Sequence, residues 1–276
     1  MRLWGLTKPL IGVVHLQPLP GSPGYRGSLP AIVRRALRDA EAYLRGGMDA
    51  LLVENYGDVP FFREAVPAET IAAMAAIARE IRRLGRFPLG VNVLRCDGLG
   101  ALSVAMAAEA QFIRVNVFAG AMLTDQGLIQ GRAADILRRR ADLGASVQVW
   151  ADLLVKHAVP LRETDPVAAA MDLKERALAD GLIVTGSRTG QPADAALLSR
   201  LRESVGGVPW IVGSGVRRGE LARYWHLADG FIVGTSLERG GRSGAAVDIS
   251  RVRALVAERG RLLKNNRGPR TRSGGD

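Results

Sequence analysis

Short aliphatic and β-branched runs alternate along this chain with longer stretches of helical period, one pair for every ~30 residues, the size of a β-α-β repeat. The apolar runs predict strands at residues 10–15, 49–54, 88–93, 112–117, 146–150, 182–185, 210–212 and 231–233. Between and after them, helices are predicted over 31–46, 67–84, 100–110, 133–143, 166–179, 192–205, 217–225 and 248–258. The helix from 67 illustrates the signal. Proline stands in its first turn, Ile71, Met74, Ile77, Ile81 and Leu84 share one face, and Gly85 stops it. Strands this uniformly apolar are covered on both faces, which is the condition of a parallel sheet wrapped by helices. Eight units without a composition break predict a closed (β/α)₈ barrel of one domain, residues 1–258, followed by a tail at 259–276. No G-x-G-x-x-G follows the first strand, so a dinucleotide fold is disfavoured.

In such a barrel the chemistry collects where strands end and loops to the helices begin. The first strand ends in His15 and the second in Glu54-Asn55-Tyr56-Gly57-Asp58. The third ends in Asn92, with Arg95 just after, and the fourth contributes Arg114 and Asn116. The fifth delivers Asp152 and then Lys156-His157, and the sixth ends in Thr185-Gly186-Ser187. Six polar strand ends in a row exceed what a structural account needs, since buried polar groups are costly unless paired.

Glu54, Asn92, Asn116, Asp152, Lys156 and His15 are therefore the catalytic candidates, with Asn55, Arg95, Arg114, His157 and Thr185 as substrate contacts. Asp152 reads as a general base, a cation ligand or an anchor for Lys156; Lys156 reads as an anion holder or, if desolvated, a Schiff-base amine. His15 reads equally as an acid or base near neutral pH and as a core histidine. The last two strands break into Gly213-Ser214-Gly215 and Gly234-Thr235-Ser236. Such turns leave backbone N–H groups for an anion, and the helix starts expected after them add their dipoles, so with Gly186 they form the expected phosphate grip.

Net charge is +11, yet Arg259, Arg261, Lys264, Arg267, Arg270 and Arg272 against Asp276 concentrate nearly half of it after residue 258. That segment reads as a disordered basic tail, and the remaining excess as solvated helix faces in an arginine-rich composition, so nucleic acid is not the expected partner. Cys96 is the one cysteine, which leaves no disulfide framework, and it reads as a free buried thiol. Asp49, Asp97, Asp125 and Asp152 show no tight ligand spacing with the histidines, so a divalent metal is only weakly signalled and no cofactor is assigned. Neither a signal peptide nor a membrane span is read, which predicts a cytoplasmic protein, expected as a homo-oligomer.

The segments 12–23 (Gly12-Val13-Val14-His15-Leu16-Gln17-Pro18-Leu19-Pro20-Gly21-Ser22-Pro23), 53–61 and 90–95, together with 114–127, 152–158, 184–186 and the two Gly-rich turns, resemble the BtpA/SgcQ family over roughly residues 7–257. The resemblance implies a barrel similar to the ribulose-phosphate binders. Within that family one branch is associated with photosystem I biogenesis, and others with sugar-phosphate or nucleoside chemistry. It carries over no catalytic assignment and leaves the tail unexplained. The expected function is an enzyme on a small phosphorylated sugar or nucleotide, working by glycosidic cleavage or transfer, isomerisation, or aldol-type chemistry. The alternatives are a non-enzymatic assembly factor and, ranked lowest, nucleic-acid binding through the tail.

Overall fold

The computed structural model describes residues 1–186 and 191–266. Its strands are β1 (Leu10–His15), β2 (Ala50–Glu54), β3 (Leu89–Asn92), β4 (Phe112–Val115), β5 (Ala121–Thr124), β6 (Gly127–Gln130), β7 (Gln148–Leu153), β8 (Ala158–Pro160), β9 (Gly181–Val184), β10 (Trp210–Val212) and β11 (Gly230–Val233). The α-helices are α1 (Leu29–Gly46), α2 (Ala68–Arg82), α3 (Gly98–Ala107), α4 (Ala133–Asp142), α5 (Pro166–Met171), α6 (Ala195–Ser204), α7 (Leu221–Tyr224) and α8 (Ile249–Asn265). Eight strands close in the order β1-β2-β3-β4-β7-β9-β10-β11, all parallel, and the expected barrel is what forms.

The helices start and stop for local reasons. Ser28 accepts the amide of Ala31 at the head of α1, and Gly47, at φ 96°, turns the chain out at its end. Asp97, Asp194 and Asp248 cap α3, α6 and α8 through their carboxylates.

The barrel interior is set by a two-residue period. Ile11 and Val13, Ala50 and Leu52, Phe112, Trp150, Ile183, Ile211 and Ile232 form one interior cluster. Neighbouring strands pair large residues with none: Phe112 stands beside Gly90 and Trp150 beside Gly181 in register. A Cβ at Gly90 would lie 2.2 Å from the Phe112 ring, and one at Gly181 2.8 Å from Trp150. Trp4, from the segment before β1, closes the amino-terminal end by stacking on Trp150 at 5.3 Å, and Trp150 stacks on Phe112 at 4.2 Å. Functional groups are thereby confined to the opposite end.

Five expectations change. A small antiparallel sheet, β6-β5-β8, lies outside the barrel and ties the loop after β4 to the loop after β7; strands of three or four residues carry too little periodicity to be read. β7 runs to Leu153, so Asp152 lies inside a strand and not beyond it. The predicted helix 217–225 shrinks to α7, and α5 passes into a π turn at Asp172–Arg176. The predicted tail begins too early: α8 continues to Asn265, with Val252 and Leu255 buried and Arg259 paired with Asp49. Ser187 and residues 267–276 lie outside the described residues.

Gly90→Ala should lower the urea midpoint by an amount equivalent to about 1–3 kcal/mol, the usual cost of overpacking. Adding Phe112→Leu in the same chain should recover part of that loss; additive losses would show that the two sites do not share space.

Candidate active site

The inward parity of the interior cluster continues upward to the mouth. Two residues beyond the interior positions stand His15, Glu54, Asn92, Arg114, Asp152, Thr185, Gly213 and Gly234, with Asn116 one step above Arg114. His15, Glu54 and Asn92 are direct neighbours in the register of β1, β2 and β3. Asn55, of opposite parity, is turned away. Its carbonyl accepts the amide of Leu94 at 2.6 Å, and its NH₂ donates to Asp58 at 3.1 Å and to the Leu94 carbonyl at 3.3 Å. It is a clamp between two loops, not the substrate contact expected.

At the centre Arg114 donates two parallel bonds to Asp152, each 2.9 Å, with side chains 4% and 0% exposed. Asn116 donates a third bond to Asp152 at 3.0 Å, and Asn92 donates to Asn116 at 3.0 Å and to the Arg114 carbonyl. Burial alone would lower the Arg114 pKa, but the adjacent Asp152 charge and its hydrogen bonds, with Glu54 further off, hold it above the usual value. With both oxygens committed, Asp152 is neither a free base nor the anchor of Lys156; it fixes a buried cation.

Lys156 is delivered by a turn in which Leu154 and His157 both take left-handed backbone, φ 51° and 56°. Arg95, buried, donates to the Lys156 carbonyl at 2.6 Å and so holds this turn from below, a supporting role in place of the substrate contact expected. Burial first, then the Arg114 charge, lowers the Lys156 pKa, against the opposing pull of Glu54 and Asp152. His157 points outward and is exposed.

His15 lies between two carboxylates: Nδ1 is 2.7 Å from Glu238 and Nε2 is 3.7 Å from Glu54. Tyr56 packs against the imidazole at 4.5 Å between ring centres. Glu238 was not read from the sequence. It lies beyond the strand end, and it reaches the mouth because a 3₁₀ turn at Thr235–Leu237 folds it back.

These groups open on a cavity of about 860 Å³ lined by His15, Glu54, Tyr56, Arg114 and Lys156 on one side. The other side is Gly213–Val216, Gly234–Ser236 and the rim arginines Arg217, Arg218 and Arg251. The Gly-rich turns are narrower as a grip than their composition suggests. The amides of Gly213 and Gly186 are taken by Val184 and by the Ser214 hydroxyl, each at 2.8 Å. The hydroxyl of Ser236 donates to Val216, and that of Thr235 shares a bond with Ser243. The amides of Ser214, Gly215, Val216, Gly234, Thr235 and Ser236 remain, with no acceptor among the described residues. No helix starts directly after Gly215, since α7 begins at Leu221, so the dipole expected there is missing.

The four aspartates weighed as metal ligands are dispersed. Asp49 holds the Leu10 amide at the far end of the barrel, Asp97 caps α3, Asp125 sits in the turn between β5 and β6, and Asp152 is bound by Arg114. Among the described residues no three His, Cys, Asp or Glu side chains gather as a metal site. Cys96 bonds the Val117 backbone, and burial pushes its thiol up to about 11, the mark of a structural cysteine. No helix among the described residues is long and apolar enough to cross a membrane.

Known proteins resemble the chain at two levels. A model of the BtpA family matches residues 6–260. An uncharacterised protein of Pyrococcus abyssi is 44% identical over 262 residues, covering 95% of this chain and 98% of the relative. The photosystem I biogenesis protein BtpA of Synechocystis is 42% identical over 257 residues, 93% and 90% of the two chains. Among solved structures, a native KDPGal structure superposes with TM-score 0.59 at 15% identity, covering 96% of this chain and 100% of the other. Phosphoribosyl anthranilate isomerase from Thermus thermophilus gives 0.54 at 15% identity, with coverage of 92% and 99%. N-acetylmannosamine-6-phosphate 2-epimerase from Clostridium perfringens gives 0.51 at 15%, with 93% of both. At these identities the structural likeness is one of fold.

Asp152→Leu should cost about 3–5 kcal/mol in denaturant unfolding by stranding the Arg114 cation, and Asp152→Leu with Arg114→Met should be the more stable of the two variants. A stranded charge that costs nothing would remove the pair from the account. For Lys156 the folded pKa lies below the ordinary 10.5, so the unfolded chain binds the extra proton and wild-type stability rises with pH across that interval. Lys156→Met should be more stable than the wild type below the interval and lose that advantage as the pH approaches 10.5; a pH-independent difference would contradict this.

Proposed function

The chain belongs to the BtpA family, and from that membership and the mouth geometry we propose that it is an enzyme that moves protons at a carbon beside the carbonyl of a phosphorylated sugar. One observation carries the reading: Glu54, His15 and Lys156 share a cavity with the amides of residues 214–216 and 234–236, which meet no acceptor among the described residues. The phosphate would lie on those amides inside the arginine rim, and its binding energy would hold the sugar chain across the cavity toward Lys156. Proton transfer belongs to the His15–Glu54 wall. Charge developing on the carbonyl oxygen would meet Lys156, with the fixed Arg114 cation behind it. The like-folded proteins named for phosphoribosyl anthranilate and for N-acetylmannosamine 6-phosphate agree with a phosphorylated sugar as the ligand class.

Enolisation is favoured over glycosidic cleavage because the latter ordinarily needs two carboxylates at the reacting centre. Among the described lining residues Glu54 is the one acid, Asp152 being consumed by Arg114. A second reading, an assembly role without turnover, draws on the name of the Synechocystis relative and on four exposed apolar residues, Phe62, Leu123 of β5, Val159 of β8 and Leu161.

The two readings part on one experiment. Phosphorylated aldoses and ketoses incubated with the protein in D₂O should exchange the hydrogen beside the carbonyl, as followed by proton NMR. Glu54→Gln and Lys156→Ala should each slow that exchange by about 10²–10⁴-fold. Saturable binding of ribose 5-phosphate, lost on blocking the rim with Arg217→Glu, should accompany it. No binding and no exchange across the series would overturn the enzyme reading and favour the assembly role.

A further inference from the structure

Glu238 is a carboxylate inside the protein, 2% exposed, that the sequence did not mark and that the reaction described above does not use. It is held with more care than a counterion requires. Its Oε2 accepts the amide of Gly244 at 2.9 Å, and its backbone bridges to Val247. The Val247 amide in turn is held by buried Asp39 of α1 at 3.0 Å, and the Asp248 amide by the Leu237 carbonyl. The segment 237–248 is thus folded back on itself, and Oε1 is left aimed at Nδ1 of His15 at 2.7 Å.

Space for the imidazole is arranged from the other side. A Cβ on Gly234 would lie 2.8 Å from Cε1 and 3.3 Å from Nε2 of His15. Part of what reads as a phosphate-binding glycine is therefore a slot for a histidine ring. The ring is pinned by Glu238, Tyr56 and Gly234 in the wall of the cavity, with Nε2 3.7 Å from Glu54.

A carboxylate accepts hydrogen bonds and donates none when ionised, so the atom facing Glu238 must be Nδ1–H. In the neutral ring this leaves Nε2 bare. We propose that Glu238 is a positioning residue that fixes His15 in the Nδ1–H tautomer and makes Nε2 the proton acceptor of the mouth. This rests on the enzyme reading above and says which of its two wall residues takes the proton. The substrate C–H bond breaks, an Nε2–H bond forms, and the electron pair moves onto the carbonyl oxygen as an enediolate facing Lys156. The imidazolium so formed is neutralised between Glu238 and Glu54; return of its proton to the neighbouring carbon, with the proton of the adjacent hydroxyl passing to the former carbonyl oxygen, completes an isomerisation.

The test reads the ring itself. In the full-length, ligand-free protein at alkaline pH, long-range ¹⁵N–¹H spectra of the imidazoles report the tautomer, and with three histidines in the chain the His15→Asn variant assigns the signal. The expected result is a protonated Nδ1 and a bare Nε2 in the wild type. Glu238→Gln, whose carbonyl also accepts from Nδ1–H, should retain it. Glu238→Ala should shift the ring toward Nε2–H and slow hydrogen exchange by about 10²–10⁴-fold, with ribose 5-phosphate affinity changed less than about threefold. An Nε2–H tautomer in the wild type overturns the proposal whether or not Glu238→Ala folds, and so does an unchanged ring in a folded Glu238→Ala. The correct tautomer without ribose 5-phosphate binding would instead sink the sugar-phosphate reading and leave the positioning role standing.

Discussion

A buried guanidinium sits at the centre of this barrel, and nearly every other feature of the mouth follows from keeping it satisfied. Arg114 can be buried only because Asp152 meets it with both oxygens, and the two are adequate to each other only because Asn116 and Asn92 complete the remaining bonds. The ends of three strands, β3, β4 and β7, are thereby committed to one hydrogen-bonded assembly. That commitment holds the upper barrel in one arrangement and supplies a permanent positive charge beneath the cavity. Burial first, and then the Arg114 charge, lower the affinity of Lys156 for its proton, so a cation held inside the protein helps to tune a group that lines the cavity.

Much of this was legible in the chain because a strand has period two. Once Ile11, Leu52 and Phe112 are taken as interior, His15, Glu54 and Arg114 must share their face, and Asn55 must not. The polar strand ends therefore converge, as a set, on one end of the barrel. They misassigned individual members because residue type says what a group can do, not which neighbour has already claimed it. Asp152 and Arg95 have the chemistry of site residues and spend it on Arg114 and on the Lys156 carbonyl.

The features that escaped the sequence are those made by tertiary context. Glu238 has no strand parity to place it, since it follows a 3₁₀ turn and returns to β1 across the barrel seam. β5, β6 and β8 are too short for a periodic signal and exist because two loops meet. The basic stretch after residue 258 resembled a solvated tail by composition, yet the apolar face of α8 carries the helix on to Asn265.

The glycines of the last two turns bear on how related sequences should be compared. A methyl group at Gly215 would fall 2.1 Å from the carbonyl of Gln191, and one at Gly213 2.3 Å from Ile183. Both positions are closed to larger residues by the protein's own atoms, before any ligand is considered. Homologues that had lost the chemistry altogether would still be compelled to keep these glycines, so an alignment in which they never vary measures how tightly two loops interlock. Divergence of function within such a lineage would have to be sought at positions where the backbone tolerates a side chain, of which Lys156 and Glu54 are the informative ones.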